Sequence, residues 1–188
     1  ETACGTGMVT RRIIEQVGPQ GRVFATDISG EMLVELVDTC KAAGHDNVST
    51  ARMGAEKLDV DDNTFDVAVC ALGLMYMPEP RAALSEMARA VHSGGRVVAT
   101  IWGERRNCGW ADIFPIVDAR VASEVCPMFF GSGAPGLLVA DFTAAGLTDI
   151  RETRQRETLK FNAPRALIRA VVPGRPGALA LHRFSAEP

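Results

Sequence analysis

The chain has 188 residues, 47% of them apolar, enough to bury one substantial core, and predicts a single domain over residues 1–188 with its core in 1–103 and further elements in 104–188. Lys and Arg number 20 against 23 Asp and Glu, a net charge of −3 with the basic residues scattered, which argues against a nucleic-acid partner. A membrane span would need roughly 20 continuous apolar residues, and neither such a run nor a charged-then-apolar leader is expected here.

The chain opens with Glu1-Thr2-Ala3-Cys4-Gly5-Thr6-Gly7, read as the end of a strand and a glycine turn that leads into a helix. Gly5 and Gly7 allow a sharp bend and a close backbone approach to a ligand. Val9, Ile13, Ile14 and Val17 share one face of that helix, which Gly18-Pro19 ends. Arg22 to Asp27 is a buried strand with a carboxylate at its tip, 20 residues beyond Gly7. In an α/β fold that carboxylate lies where a ribose would present its hydroxyls.

Ser29 is placed to cap a second helix, whose Leu33, Leu36, Val37 and Cys40 recur at helical spacing and which Gly44 ends. Val48 to Met53 is a short strand, Gly54 to Leu58 a loop and Asp59 to Asn63 a polar turn. Phe65 to Leu72 is continuously apolar except at Asp66, as expected of a central parallel strand. Pro80 opens a third helix with Leu84, Met87, Ala88 and Val91 inward, ended by Gly94-Gly95, and Arg96 to Trp102 is another strand. Alternating strands and helices predict an α/β, mostly parallel sheet with helices on both faces and its strand tips along one edge.

Beyond Trp102 the reading is a helix through Trp110, Ile113, Phe114, Val117 and Val121, a loop from Pro127 to Gly136, and a helix from Leu137 to Ala145 ended by Gly146. An alternating edge strand from Asp149 to Phe161, a helix from Pro164 to Val172 and a loop from Pro173 to Gly177 follow. Both ends are expected to be incomplete. The first strand calls for apolar residues before Glu1, and no closing element precedes Pro188. The five cysteines, Cys4, Cys40, Cys70, Cys108 and Cys126, are odd in number and mostly embedded in apolar runs. They suit buried hydrophobes in a reducing cytoplasm better than disulfides, and none has metal-ligand spacing.

The opening glycine motif, Asp27 after a strand, Ala55-Glu56-Lys57-Leu58, Phe65-Asp66-Val67 and Gly94-Gly95-Arg96-Val97 together resemble class I S-adenosylmethionine-dependent methyltransferases. The subgroup most similar contains the ubiquinone/menaquinone-biosynthesis type, and the resemblance covers about residues 1–161. It implies a Rossmann-like, doubly wound sheet of seven strands, the last antiparallel and not identifiable here. It also implies methyl transfer from S-adenosylmethionine to a small-molecule acceptor, leaving S-adenosylhomocysteine.

By this resemblance Glu1 and the backbone of Ala3, Cys4, Gly5 and Gly7 hold the methionine part, and Asp27 accepts from both ribose hydroxyls. Ile28 and Met32 press on one adenine face. Gly54 stands where relatives often carry an acidic residue, so adenine recognition falls to the backbone of Gly54 and Ala55 with Glu56 assisting. Ala71 and Leu72 border the reacting methyl group, and Tyr76, Met77, Trp102 and Trp110 are candidates to line an acceptor pocket. Each has a plainer rival: a solvated Glu1, an Asp27 that only caps a helix, Ile28 and Met32 as core, Glu56 as surface charge, and the four pocket candidates as core.

No catalytic acid or base is singled out, because in-line displacement at an activated methyl chiefly requires alignment. His45 reads as a turn residue, His92 as the last turn of a helix and His182 as part of a frayed end. Two alternatives remain: an NAD(P)-dependent oxidoreductase, opposed by Thr10 where a third small residue would admit a pyrophosphate, and a cofactor-binding or interaction module without catalysis. An exposed sheet edge left by an absent strand would invite pairing into a homodimer.

Overall fold

A computed structural model describes residues 1–112, Pro115 and residues 129–166. The described residues divide into two compact units, one formed by Glu1–Ile101 and Gly136–Ile150, the other by those within Trp102–Pro135 and Arg151–Pro188. The first unit runs α1 (Met8–Val17), β1 (Val23–Asp27), α2 (Gly30–Ala42), β2 (Val48–Arg52), β3 (Phe65–Ala71), α3 (Pro80–Ala90), β4 (Val91–Thr100) and α4 (Leu137–Ala144).

β1 pairs with β2 and β3 with β4, both in parallel. What joins the two pairs is the backbone of residues 1–4. Thr26 donates its N–H to the Glu1 carbonyl at 2.9 Å and Cys4 donates to the Thr26 carbonyl at 3.0 Å. On the other side Thr2 donates to the Val69 carbonyl at 2.8 Å. The opening residues are therefore the central strand, in the order β2, β1, residues 1–4, β3, β4. From that strand the chain steps one way through α1 and α2, then the other way through α3. With right-handed crossovers, α1 and α2 cover one face and α3 the other.

Two apolar clusters match that arrangement. Cys4, Ile14, Val23, Ala25, Leu33, Leu36 and Cys40 form one, and Ala55, Ala68, Cys70, Leu74, Ala83, Leu84, Met87 and Val91 the other. α2 forms where the spacing predicts: Ser29 Oγ accepts the Met32 N–H at 3.4 Å, Glu31 lies in the first turn and Lys41 in the last. Pro80 opens α3 as expected. The loop between β2 and β3 is clasped to α3 by Arg89, which reaches Glu86 at 2.8 Å, Asp62 at 2.6 Å and the carbonyls of Val60 and Leu58 at 2.8 and 2.9 Å.

Three expectations need correction. α3 ends at Ala90 rather than at Gly94-Gly95, because Val91 turns extended (φ −92°, ψ 135°), pairs with Phe65 and buries its side chain. Gly94 (φ +85°) then makes the bend that resets the register, so that regular pairing resumes at Val67 with Arg96. His92 consequently lies in β4, not in a final helical turn. Its ring nitrogens face the Ser93 carbonyl at 2.9 Å and Asp66 at 3.1 Å, and these two acceptors, Ser93 first, raise its pKa.

The Asp149 to Phe161 strand does not form: residues 151–161 are exposed and carry no strand pairing. An alternating pattern yields a strand only against a partner edge. α4, by contrast, sits where expected, capped by Gly136 and followed by a left-handed Gly146. The helix drawn through Ile113, Phe114, Val117 and Val121, the loop residues 127–128, the Pro164 to Val172 helix beyond residue 166, the Pro173 to Gly177 loop, Cys126 and His182 lie outside the described residues. Among the described residues no helix is long and apolar enough to cross a membrane.

Leu36 is fully buried beneath the opening turn, with its Cδ1 only 2.1 Å from where a Cβ on Gly7 would lie. Leu36→Ala is expected to lower stability by about 2–5 kcal/mol in urea denaturation, with the slope of the transition unchanged.

Candidate functional site

The site lies where the strand order reverses, at the carboxyl tips of the central strand, β1 and β3, the usual crevice of a doubly wound sheet. The chain leaves the central strand through Gly5 (φ +55°) and Gly7 (φ +83°). Gly7 donates to the Cys4 carbonyl at 3.0 Å, closing the turn, and α1 begins at the next residue. Two residues with side chains are also left-handed here, Ala3 (φ +51°) and Leu72 (φ +56°). Such backbone costs of order 1–2 kcal/mol per residue and gathers at ligand sites. Gly73 lets the two tips approach: a Cβ there would lie 2.6 Å from Ala3 Cβ and 2.8 Å from Cys70 Sγ.

Asp27 ends β1 and is buried, 8% exposed. Its Oδ2 accepts the Gly5 N–H at 2.9 Å and its Oδ1 accepts the Ser29 N–H at 2.9 Å. The carboxylate thus ties the glycine turn to the cap of α2 through two charge-assisted bonds. Each oxygen accepts one backbone N–H and retains capacity for a second donor.

Glu1 stands on the other side of the turn, half-buried, with Oε2 accepting the hydroxyl hydrogen of Thr10. Burial pushes its carboxyl above the ordinary carboxylate range, the Thr10 hydroxyl opposes that rise, and the Asp27 charge adds to it. The same surroundings act on Cys4, whose thiol is pushed up to about 12 by burial and then by Glu1 and Asp27. Burial also raises the thiols of Cys40, Cys70 and Cys108. These four cysteines are free thiols rather than thiolates at neutral pH. Among the described residues no group of three His, Cys, Asp or Glu side chains could hold a metal ion.

The remaining candidates distribute as follows. Ile28 is 58% exposed, directly after Asp27, and Met32 is half-buried on the first turn of α2. The Met53 N–H donates to the Asp27 carbonyl at 3.1 Å, so Gly54, exposed, and Ala55, buried, follow β2 beside the β1 tip. Glu56 is engaged in the fold itself, its Oε1 accepting the Glu79 N–H at 2.7 Å at the start of α3. At the β3 tip Ala71 is half-buried and Leu72 is exposed, its N–H donated to the Thr100 carbonyl at 2.9 Å.

Tyr76, exposed, and Met77, half-buried, follow on a turn of 3-10 helix. Trp102 and Trp110 belong to the second unit, where their rings meet edge-on with centroids 5.1 Å apart and Trp110 also neighbours Phe129 and Phe130. Thr10 was legible only as an obstacle to a pyrophosphate. Its bond to Glu1 has no sequence signal beyond a polar residue on the inner face of an amphipathic helix.

A cavity of about 150 Å³ opens between the amino-terminal halves of β1 and β3, with Val17, Phe24, Phe65 and Val67 in its lining. Glu1, Thr2 and Thr26 also line it.

A protein-family model described as methyltransferase domain matches residues 1–95. The chain belongs to the methyltransferase-domain family. It is 38% identical over 98 residues to the demethylmenaquinone methyltransferase of Shouchella clausii, covering 52% of this chain and 42% of that one. To the enzyme of the same name from Anoxybacillus flavithermus it is 36% identical over 114 residues, covering 61% and 48%. The chain thus spans less than half the length of these curated relatives. Among solved structures, the YcgJ protein of Bacillus subtilis superimposes with a TM-score of 0.67 at 18% identity, covering 100% of this chain and 76% of that one, a likeness of fold.

Replacing Asp27 leaves the Gly5 and Ser29 N–H groups, the second of them buried, without their acceptor. Asp27→Ala is expected to cost about 1–3 kcal/mol in urea denaturation. Asp27→Asn is expected to recover only part of that, since its amide offers one acceptor oxygen and turns a donor toward the other N–H.

Proposed function

We propose that the chain transfers the methyl group of S-adenosylmethionine to a small-molecule acceptor. The observation that carries this reading is the Asp27 carboxylate, pinned beside the Gly5 turn in a chain of the methyltransferase-domain family. The local chemistry fits the cofactor. Asp27 retains acceptor capacity for two ribose hydroxyls, and the space beside Gly5 and Gly54 is open, with no atom within 4 Å of a Cβ built on either. Glu1 supplies negative charge for an ammonium and Ile28 an exposed apolar shelf for adenine, with Met32 beside it. Gly54 and Ala55 offer backbone groups to the base edge, while Glu56 supports the loop through Glu79. The backbone of Ala3, Cys4, Gly5 and Gly7 cradles the methionine part, bounded by Ala71 and Leu72.

When bound, S-adenosylmethionine supplies a methyl group already activated by its sulfonium. The protein then has to hold the donor still and admit the acceptor along the line of displacement, which is catalysis by orientation. Tyr76 and Met77 offer apolar contact beside the β3 tip, and Trp102 and Trp110 an aromatic surface in the second unit. Tyr76 and Met77, with the quinone-type acceptor in the relatives' name, support a partly apolar acceptor. The free buried thiols support a reducing compartment, the cytoplasm.

Thr10 disfavours a dinucleotide: it is fully buried where a third small residue would let a pyrophosphate approach the helix. Calorimetric titration is expected to give binding of S-adenosylmethionine and S-adenosylhomocysteine, at least about tenfold weaker in Asp27→Asn, whose bonds to the ribose would lose their charge assistance. Binding of NADH alone would replace this reading with an oxidoreductase. Binding of none of the three would leave a module without catalysis.

A further inference from the structure

A threonine inside a helix commonly returns its hydroxyl to a carbonyl of the preceding turn. Thr10 does not. The Thr6 carbonyl, four residues back, accepts the Arg11 guanidinium at 3.1 Å, and the Thr10 hydroxyl is donated instead to Glu1 Oε2. Thr10 is fully buried directly beneath the opening turn, its Cβ 3.5 Å from the place a Gly7 Cβ would take. Glu1 Oε1 has no hydrogen-bond partner among the described residues. One carboxylate oxygen is therefore held by a buried donor on α1 while the other keeps its acceptor capacity.

We infer that Thr10 is a positioning residue for cation binding, holding the Glu1 carboxylate so that its second oxygen presents negative charge to the ammonium of the methionine part of S-adenosylmethionine. This rests on the methyltransferase reading above. A buried hydroxyl is well suited to that role because it fixes one oxygen and favours the charged form without neutralising it, as a lysine there would. The titratable groups facing Glu1 are Asp27 from β1, which disfavours its charge, and the uncharged thiols of Cys4 and of Cys70 from β3. On α1 the neighbouring cation, Arg11, is engaged with the Thr6 carbonyl.

The test compares the full chain with Thr10→Val, close in shape but without the donor, and Thr10→Ser, which keeps it. S-adenosylhomocysteine, which carries the same ammonium, is titrated calorimetrically across pH, and the Glu1 carboxyl is followed by carbon-13 NMR without ligand. Affinity is expected to fall as pH drops through the Glu1 pKa, since the protonated carboxyl no longer attracts the ammonium. Removing the hydroxyl withdraws a group that favours the carboxylate, so in Thr10→Val that fall begins at higher pH, the ligand-free carboxyl titrates higher, and affinity near neutrality drops about tenfold. Thr10→Ser keeps the wild-type profile.

Wild-type affinity and profile in Thr10→Val would overturn the inference while leaving the methyltransferase reading intact. Equal weakening in Thr10→Val and Thr10→Ser would overturn it too, assigning the effect to packing around position 10 rather than to the hydroxyl. A wild-type chain that binds neither cofactor form would end both. Thr10→Ala carries the same comparison if valine is not accommodated.

Discussion

The site depends on one buried carboxylate that holds two loops at once. Asp27 receives N–H groups from Gly5 and from Ser29, and those donors belong to the turn that opens α1 and to the cap that opens α2. A buried carboxylate needs such donors, because an unpaired charge away from water is expensive. The two loops in turn need the carboxylate, since their N–H groups point at it. This mutual requirement places an oriented negative group at the reversal of strand order, and it does so before any ligand arrives. The rival reading of Asp27 as a helix-start residue and its reading as a ribose acceptor are thus compatible, one being the means by which the other is oriented.

The same economy of bonds runs through the sheet. The two strand pairs are bridged by the backbone of residues 1–4, which bonds to Thr26 on one side and Val69 on the other. The glycine turn that follows is therefore anchored on both flanks, and the left-handed Ala3 and Leu72 sit at the seam. Gly73 makes that seam feasible by leaving room for Ala3 Cβ. Anchoring on both flanks fits the proposed methyl transfer, in which alignment rather than proton transfer sets the barrier.

Much of this was legible where a local rule sufficed. Ser29 as a cap, Pro80 as a first helical residue, Gly18 as a stop and the apolar run of β3, interrupted only by Asp66, each follow from chemistry within a few residues. Sequence reasoning failed where a distant partner decides. Val91 extends because Phe65 and the core behind α3 receive it, so His92 leaves the helix. Residues 151–161 have the alternation of a strand, yet they are exposed and pair with no strand among the described residues. Glu56 reads as a loop carboxylate until the Glu79 N–H appears beside it, and Thr10 as a helix residue until Glu1 does. In each case the signal lies in a pairing across many residues, which no local pattern encodes.

The most direct measurement is a crystal structure of the full chain grown with S-adenosylhomocysteine. The account requires the ribose hydroxyls within hydrogen-bond distance of Asp27 and the amino acid part against the Gly5 turn, with the Gly5 and Ser29 bonds to Asp27 retained. Density for the nucleoside on another face of the sheet, or an Asp27 carboxylate that meets no ribose, would contradict it.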